Sequence, residues 1–489
     1  MNNLKDKAVS GVFWSLLERS GNQLIQFVIG LILARLLMPK DYGLIGMILI
    51  FISFAQVIVD GGFASALIRK KNPSFADYST VFWFNILVAI LCYIALFFSA
   101  PSIAKFFNEP KLISITRIVA LTIVINSLGI IQKTILTKDL DFKSQAKINL
   151  TSILLSGVIG IYCAYNSNGV WALVIQNLCK NIFLSIGFWT HSKWQPQILF
   201  SKISFKELFG FGSNLTLALL LNAISENLYG IIIGKYFNAI SLGYYHRANQ
   251  FQKLPVISIY GAIGAVSYPL LAEMQTNSQN VKDGYRLLIK LTAFVLFPIM
   301  AILAATASPM IIVLLTEKWQ PVIPLLQLLC IAGALYPLHA INIDVLKVKG
   351  RTDLIFKLQI IKQILEILMI FFCFRWGIYG LVIGEIVLNI IALYINAYYS
   401  SILINYNFID QIKDVMNFAI ISVLIALFII GLSYIITNLY VKFLLIPVLG
   451  GIIYIIISKL LKVKEYYILS EIFSKLLFKF GASKVMKNN

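Results

Sequence analysis

Long apolar stretches separated by short polar connections run along the whole chain. A hydrocarbon core about 30 Å thick is crossed by roughly 20 apolar residues in an α-helix, so each stretch is long enough to span a membrane. Fourteen such stretches are predicted, at residues 9–36, 42–67, 79–100, 112–136, 148–166, 169–190, 207–234, 249–271, 286–307, 322–346, 354–374, 378–400, 414–437 and 441–461. The pattern therefore predicts an all-α polytopic membrane protein with about 14 transmembrane helices.

The first twelve spans resemble two copies of one six-helix unit. Shifting the sequence by 200 residues aligns Asn22 with Asn222, Gly30 with Gly230, Arg35 with Lys235, Gly43 with Gly243 and Gly61 with Gly261. An even number of helices per copy relates the copies by an axis along the membrane normal, as in transporters that enclose a central site between two lobes. We predict a six-helix lobe at 1–200, a second at 201–405, helices 13 and 14 at 406–465, and a basic cytoplasmic tail at 466–489.

Composition and charge agree with this organisation. The 489 residues are 59% hydrophobic and 13% charged, whereas soluble domains have about 25% charged residues. The net charge of +20 does not indicate nucleic-acid binding, because the basic residues are concentrated in alternate connections, beginning with Arg69, Lys70 and Lys71. This bias predicts a multi-pass protein of the bacterial inner membrane with both termini cytoplasmic. The one inside connection without the bias surrounds Asp410, Lys413 and Asp414.

Metal or cofactor chemistry is not indicated. The five cysteines lie singly inside apolar runs, and the three histidines form no cluster with ligand spacing. The sequence contains no GxSxG, HExxH or P-loop pattern, and no long connection that could hold a catalytic domain. We therefore predict neither a catalytic residue nor a metal or cofactor, and not an enzyme.

Polar residues inside the spans are the candidate site. In the first span Glu18, Asn22 and Gln26 share one helix face, with Arg19 beside them. The matching seventh span carries Asn214, Asn222 and Glu226 in the same way, with Asn227 adjacent. Two interpretations stay open: both stripes line one cavity for a polar headgroup, or they hold helices together by hydrogen bonds.

Other ionisable residues lie within the predicted spans, and charges there cost about 2.5–3.5 kcal/mol each near the centre. They are Asp60, Lys180, Asp344, Lys362, Glu366 and Glu385. Lys362 and Glu366 are spaced for an ion pair on one helix. Arg19 or Lys180 could bind a phosphate in a cavity of low dielectric constant. The predicted substrate cavity comprises Glu18, Arg19, Asn22, Gln26, Lys180, Asn222, Glu226 and Asn227.

Three segments carry a family resemblance. ENLYGIIIGKYFNAISLGYYHRANQFQKLP (226–255), ARLLMPKDYGLIGM (34–47) and DGGFASALIRKKN (60–72) resemble polysaccharide flippases of the multidrug/oligosaccharidyl-lipid/polysaccharide (MOP) superfamily. The resemblance is to the branch that exports precursors of lipopolysaccharide, capsule, colanic acid or teichuronic acid. It covers the twelve repeated spans and weakens toward the carboxyl terminus.

The resemblance implies a flippase that moves undecaprenyl-diphosphate-linked oligosaccharide across the inner membrane by alternating access. It also implies coupling to a proton or sodium gradient, for which Glu18, Asp60 and Glu226 are the candidate carboxylates. Its implied partners are the lipid-linked substrate, membrane lipid and polysaccharide assembly proteins. Two alternatives are a cation-coupled multidrug exporter of the same fold and, disfavoured by the short outside connections, a membrane-bound polysaccharide polymerase or ligase.

Overall fold

The regular structure of the chain is helical wherever it is described. The computed structural model describes residues 2–274, 278–471 and 474. Its helices are α1 (Asn2–Leu36), α2 (Pro39–Asp60), α3 (Phe63–Arg69), α4 (Phe75–Phe107), α5 (Leu112–Val119), α6 (Leu121–Lys138), α7 (Phe142–Tyr165), α8 (Val170–His191), α9 (Lys202–Tyr236), α10 (Ala239–Glu273), α11 (Ser278–Ala305), α12 (Ala307–Leu315), α13 (Val322–Val348), α14 (Thr352–Cys373), α15 (Gly377–Ile404), α16 (Phe408–Ile435) and α17 (Leu439–Leu460). In these residues eleven helical segments are long and apolar enough to cross a membrane. The prediction of an all-α polytopic membrane protein is confirmed.

Each predicted span coincides with one helix or with two consecutive ones. Residues 353–404, predicted as two spans, form one of the eleven apolar segments, and α1 and α10 are not among the eleven. The count of fourteen spans and the duplication therefore stay predictions. The helices extend beyond the apolar stretches because their ends are set by hydrogen bonds and not by hydropathy.

The start of α4 illustrates such an end. The Ser74 hydroxyl accepts a hydrogen bond from the Asp77 amide at 3.2 Å, and the Asp77 carboxylate accepts one from the Ser74 amide at 2.7 Å. This reciprocal arrangement satisfies two amides that have no partner inside the helix. The helix consequently begins at Phe75, ahead of the apolar stretch predicted at 79–100.

The second predicted span is interrupted at a glycine pair. Gly61 and Gly62 have φ angles of +52° and +63°, in the left-handed region that only glycine adopts readily. The backbone therefore leaves α2 after Asp60 and re-enters a helix at Phe63. Asp60 is thereby the last residue of α2.

The chain divides into two compact units, Met1–His246 and Arg247–Asn489. In the first unit α1 packs on α7, α7 on α8, α4 on α6, and α9 on α2, α3 and α4. In the second unit α11 packs on α13 and α16, α13 on α15, α14 on α15, and α17 on α12 and α16. The first compact unit thus continues through α9, whereas the lobe boundary predicted at residue 200 describes the duplication and stays a prediction.

A charged cluster at the start of α16 fixes this helix to the second unit. The Asp414 carboxylate accepts hydrogen bonds from the Arg286 guanidinium of α11, with Nη2 at 2.7 Å, and from the Tyr406 hydroxyl at 2.8 Å. Lys290 Nζ lies 3.1 Å from the same carboxylate. The acid of the connection around Asp414, predicted to lie inside, thus pairs with the basic residues Arg286 and Lys290 at another connection predicted on that side.

A second polar group lies beside this cluster. Asn342 of α13 donates to the Gln411 side chain of α16 at 3.0 Å, and the Ser400 hydroxyl of α15 donates to the Asn342 side chain at 2.6 Å. All three side chains are buried. Because buried polar groups are costly unless they are hydrogen-bonded, these bonds specify how α13, α15 and α16 fit together.

We expect Asp414→Asn to destabilise the second unit. It leaves Arg286 and Lys290 without their acidic partner, and loss of a hydrogen-bonded charged partner costs about 1–3 kcal/mol. The melting temperature of the purified protein in detergent should fall. Asp353→Asn is the control, because its pair with Arg351 (2.8 Å) is exposed on both sides and should contribute little. Equal melting temperatures for the two variants would contradict the anchoring role of Asp414.

Candidate functional site

Glu18, Arg19, Asn22 and Gln26 form the polar stripe of α1. Part of this stripe contacts another helix, and part of it is exposed. The Glu18 carboxylate accepts a hydrogen bond from the Asn149 side chain of α7. Glu18 and Asn22 are partly buried, whereas Arg19 and Gln26 are exposed. The stripe therefore contains both a contact that holds two helices together and side chains that are open to a ligand or to solvent.

The polar stripe of α9 is divided in the same way. Asn227 donates to the Ser53 hydroxyl of α2 at 3.3 Å, which joins the two helices. Asn222 and Glu226 are exposed, and the Asn222 side chain donates to the Glu226 carboxylate at 2.9 Å. The side chains of Asn222 and Glu226, one helical turn apart, thus form a hydrogen-bonded pair that is exposed and contains one carboxylate.

Asp60 and Glu18 share a basic neighbour that the sequence did not single out. Lys133 of α6 interacts electrostatically with both carboxylates. Lys133 lies within the predicted span 112–136. Its position inside that apolar span was the available signal, because intramembrane charges usually have a partner.

Lys180 of α8 stands apart from the other candidate residues. It is partly buried, and the described residues give it neither an ion pair nor a hydrogen bond. Beside it, Asn181 donates to the Asn177 side chain at 2.9 Å along the same helix. The structure does not join Lys180 to the stripes of α1 or α9 by a hydrogen bond.

The candidate residues of the second unit interact between helices. His339 of α13 lies 3.2 Å from the Asn389 side chain of α15 and interacts electrostatically with Lys362 of α14. Glu366 of α14 interacts electrostatically with Glu385 of α15. Within the described residues the predicted Lys362–Glu366 ion pair is not formed, so that prediction is wrong. Spacing along one helix permits such a pair but does not require it, and the interaction between Glu366 and Glu385 is a repulsion between like charges.

Asp344 lines a cavity of about 390 Å³ in the second unit, together with Tyr260, Gly261, Gly264 and Lys347. Its carboxylate lies 2.9 Å from Lys347 Nζ and accepts a longer hydrogen bond, 3.4 Å, from the Ser267 hydroxyl of α10. The negative charge of buried Asp344 is thus neutralised by Lys347, which lies one turn further along the same helix. This pairing makes Asp344 part of the packing between α10 and α13.

Two glycines aligned by the 200-residue shift make reciprocal contacts. A Cβ on Gly43 would lie 1.6 Å from the Ala239 carbonyl oxygen, and a Cβ on Gly243 would lie 2.0 Å from the Pro39 carbonyl oxygen. Pro39 and Ala239 are themselves equivalent under the shift. The starts of α2 and α10 therefore touch backbone to backbone at reciprocal, equivalent positions, which is the pattern that a duplication would produce.

The opposite end of α2 contacts α9 through glycines as well. A Cβ on Gly62 would lie 2.6 Å from the Gly212 carbonyl oxygen, and a Cβ on Gly212 would lie 2.5 Å from the Gly61 carbonyl oxygen. No other side chain allows two backbones to approach so closely. Gly62 and Gly212 are not paired by the 200-residue shift, so this contact between helices is one that self-alignment did not indicate.

Charged contacts surround this second glycine contact. Lys70 Nζ lies 2.9 Å from the Glu207 carboxylate of α9 and 3.0 Å from that of Asp77. The hydrogen bond to Glu207 is the main reason why the pKa of Lys70 is raised, so this lysine stays charged at neutral pH. Lys138 of α6 donates to the Leu67 carbonyl at 3.1 Å at the end of α3. All of these residues belong to connections predicted on one side of the membrane.

Contacts at the other ends of the helices also join connections predicted on one common side. Lys40 Nζ lies 2.8 Å from the Glu109 carboxylate, and Lys235 donates to the Phe106 carbonyl oxygen. The alternation of sides predicted for the first unit is consistent with both sets of contacts.

Comparisons with known proteins identify relatives in polysaccharide synthesis. A profile of the family described as "Polysaccharide biosynthesis protein" matches residues 32–324. The chain is 29% identical over 359 residues to teichuronic acid biosynthesis protein TuaB of Bacillus subtilis (strain 168), which covers 73% of this chain and 74% of that protein. It is 25% identical over 374 residues to lipopolysaccharide biosynthesis protein WzxC of Escherichia coli (strain K12), covering 75% of each.

A solved structure shares the fold. The structure described as "Lipid II flippase MurJ, inward closed conformation" is similar with a TM-score of 0.73 and 16% sequence identity, over 96% of this chain and 100% of that chain. At this identity the likeness concerns the fold alone.

We expect Gly43→Ala to disrupt the reciprocal glycine contact. A methyl group 1.6 Å from the Ala239 oxygen forces α2 and α10 apart, and overpacking of this kind costs about 1–3 kcal/mol. The yield of monodisperse protein and its melting temperature in detergent should both fall. Gly431→Ala in α16 is the control, because an added Cβ there meets nothing within 4 Å. If Gly43→Ala behaved like Gly431→Ala, the close backbone contact would be disproved.

Proposed function

Because the chain belongs to the polysaccharide biosynthesis protein family, we propose that it is a flippase for undecaprenyl-diphosphate-linked oligosaccharide. The substrate class is a precursor of O-antigen, capsule or a related polysaccharide, and transport proceeds by alternating access across the inner membrane. The names of the relatives, which refer to teichuronic acid and lipopolysaccharide biosynthesis, support this class. The fold shared with a lipid II flippase supports movement of a lipid-linked headgroup.

The observation that carries the proposal is that polar side chains are exposed on two helices within predicted membrane spans. Arg19 and Gln26 of α1 and Asn222 and Glu226 of α9 are exposed within predicted spans. If these side chains were surrounded by hydrocarbon, the free energy of inserting the helix would rise by several kcal/mol for each charged group. A water-filled passage removes that cost and admits the sugars and the diphosphate, while the polyprenyl chain remains in lipid.

Roles of individual residues follow from their surroundings. Arg19 presents an exposed guanidinium suited to a phosphate oxygen, and Lys180 is a second cation for the same purpose. Asn22, Gln26, Asn222 and Asn227 supply amide groups that can hydrogen-bond sugar hydroxyls. In this assignment Glu18 and Asn227 also hold their helices in place through Asn149 and Ser53.

Ion coupling is assigned to Glu18, Asp60 and Glu226. Glu18 and Asp60 both interact with Lys133, so protonation of either carboxylate changes the charge balance around this lysine. Glu226 is exposed, and its carboxylate accepts a hydrogen bond from Asn222, one turn earlier on the same helix. Either a proton or a sodium ion, bound at the carboxylate, would neutralise the charge of each of these acids.

The topology completes the proposal. In this proposal both termini lie in the cytoplasm, and helices 13 and 14 at 406–465 follow the proposed duplicated lobes 1–200 and 201–405. Most of the proposed basic tail at 466–489 lies outside the described residues. Membrane lipid and polysaccharide assembly proteins are the proposed partners beyond the substrate. The proposal assigns the protein no enzymatic activity, because the residues proposed to line the passage include no nucleophile with an activating base.

A multidrug exporter of the same fold is the main alternative, and a polysaccharide polymerase or ligase is a weaker one. An exporter of organic cations would use acidic and aromatic surfaces, whereas Arg19 and Lys180 suit an anionic headgroup. A polymerase or ligase would need catalytic residues in a sizeable outside connection.

Deletion of the gene should trap lipid-linked oligosaccharide on the cytoplasmic leaflet, because its charged headgroup does not cross hydrocarbon unaided. The measurement is the fraction of lipid-linked sugar that is accessible in intact spheroplasts, together with surface polysaccharide. Restoring the gene should reverse both changes. Normal surface polysaccharide in a deletion strain that has no second flippase would refute the function.

We expect Arg19→Ala and Glu226→Ala each to lower export about tenfold at unchanged abundance, because each removes an exposed charge that would contact substrate or ion. Export is measured as surface polysaccharide per amount of membrane-inserted protein. The controls are Arg351→Ala and Glu317→Ala, which remove exposed charges outside the stripes. Reduced abundance of the Arg19 and Glu226 variants, with normal export per molecule, would instead show that these residues serve helix packing.

A further inference from the structure

Residues 192–201, which we call the strap, connect α8 to α9 without helical structure. Along its first six residues the side chains alternate between partly buried and exposed, as in a β-strand that lies on a surface. Ser192, Trp194 and Pro196 face the protein, whereas Lys193, Gln195 and Gln197 face outward. The strap therefore lies along the protein and is not a loop that extends into solvent.

An aromatic contact holds the first half of the strap. The Trp194 ring lies 5.8 Å from that of Phe75, 6.2 Å from that of Tyr78 and 5.7 Å from that of Phe82. These three partners occupy the first two turns of α4. Aromatic pairs at such separations stabilise a contact beyond the apolar area that they bury, so the strap is fixed to the start of α4.

Hydrogen bonds hold the second half of the strap to the same helix. The Gln197 amide donates to the Ser79 hydroxyl at 3.3 Å, and the Gln197 carbonyl accepts from the Trp83 indole at 2.7 Å. The Ser201 amide donates to the Thr80 hydroxyl at 2.9 Å. Trp83 lies two turns after the start of α4. The strap therefore runs alongside the first turns of α4 and does not contact only its first residues.

One further amide of this half is bonded within the strap. The Leu199 amide donates to the Gln197 carbonyl at 2.8 Å. The amides of alternate residues from Gln197 to Ser201 thus all have protein partners. Non-helical backbone is tolerated next to lipid only where its polar groups are satisfied, and this segment fulfils that condition in good part.

The outward side chains of the strap and of the first turn of α9 are strongly apolar. Ile198 is 97% exposed and Ile203 is 83% exposed, and Phe200 is exposed beside them. Exposed basic residues flank this group at Lys193, Lys202 and Lys206. Large aliphatic side chains at nearly full exposure are unfavourable in water, and cations around them match the charge of acidic lipid headgroups.

We propose that the strap is an interfacial membrane anchor that binds acidic phospholipid. Ile198, Phe200 and Ile203 insert between acyl chains at the level of the headgroups. Lys193, Lys202 and Lys206 bind phospholipid phosphates around them. The anchor lies on the side of the membrane that carries Arg69, Lys70 and Lys71, where an excess of basic residues meets the negative leaflet.

This assignment does not depend on the transported substrate. Because the strap joins the two six-helix segments of the predicted duplication, anchoring holds the connection at a constant depth in the bilayer. Ser201, which precedes the first residue of α9, would then remain at a fixed depth in the membrane when α9 moves.

Photo-crosslinking in the full-length protein tests the anchor directly. Benzoylphenylalanine replaces Ile198, whose side chain contacts little of the protein, and the protein is reconstituted in equimolar vesicles of phosphatidylcholine and phosphatidylglycerol. We expect lipid adducts at position 198 by mass spectrometry, enriched in phosphatidylglycerol. The control position is Asn72, exposed in the connection between α3 and α4, where adducts should be few.

The lysines are tested by charge removal in the same experiment. Lys202→Gln should lower the phosphatidylglycerol share of the adducts by up to about fivefold, the expected effect of one basic residue near an acidic surface. The triple change of Lys193, Lys202 and Lys206 to Gln should remove the enrichment. The matched control is the same change at Lys459, Lys462 and Lys464, exposed basic residues elsewhere, which should leave it unchanged.

Three results would overturn the anchor. Adducts at position 198 as rare as those at position 72 would place the strap in water. Adducts without phosphatidylglycerol enrichment would remove the role of the lysines. Crosslinks to a protein in native membranes, with no lipid adducts in vesicles, would make the surface a protein contact. Size-exclusion profiles matching the unmodified protein show that each variant is folded.

Discussion

Hydrocarbon provides no hydrogen-bond partner for a peptide group, and this constraint determines the architecture of the protein. Helices satisfy it internally, which is why the described residues are so largely helical. Where the helices end or break, other groups supply the missing bonds. Asp77 and Ser74 cap α4, and Lys138 donates to the end of α3. The strap shows the same constraint in a segment without helical structure, because Ser79, Thr80 and Trp83 bond its backbone.

Close packing of helices is the second consequence of a lipid solvent. Apolar side chains gain little from helix association in lipid, so small residues that permit close contact become important. Gly43 and Gly243 bring the starts of α2 and α10 together, and Gly62 and Gly212 bring α3 and α9 together. These contacts allow no extra methyl group, since backbone atoms occupy the space. The helices of the first unit are thereby joined at both ends of α2.

Polar side chains within the spans serve two purposes that a single stripe can combine. Glu18 and Asn227 are used between helices, while Arg19 and Glu226 remain exposed. Interhelical hydrogen bonds in membranes contribute only about 0.6 kcal/mol on average, so such contacts position helices more than they stabilise them. Helix contacts and a passage are therefore not exclusive interpretations of these stripes, because neighbouring residues on one turn can be bonded and exposed.

The sequence by itself determined the class of protein, the approximate positions of the helices and the family, because hydropathy over 20 residues and short motifs are local properties. It also identified Gly43, Gly243, Glu18 and Glu226 as notable positions. Only the tertiary structure decided what these residues touch. Lys133 interacts electrostatically with two acids, Lys362 and Glu366 form no ion pair with each other among the described residues, and residues 192–201 follow α4. Such pairings depend on which faces of distant helices meet, and helix periodicity in one segment does not specify the rotation of the segment that packs against it.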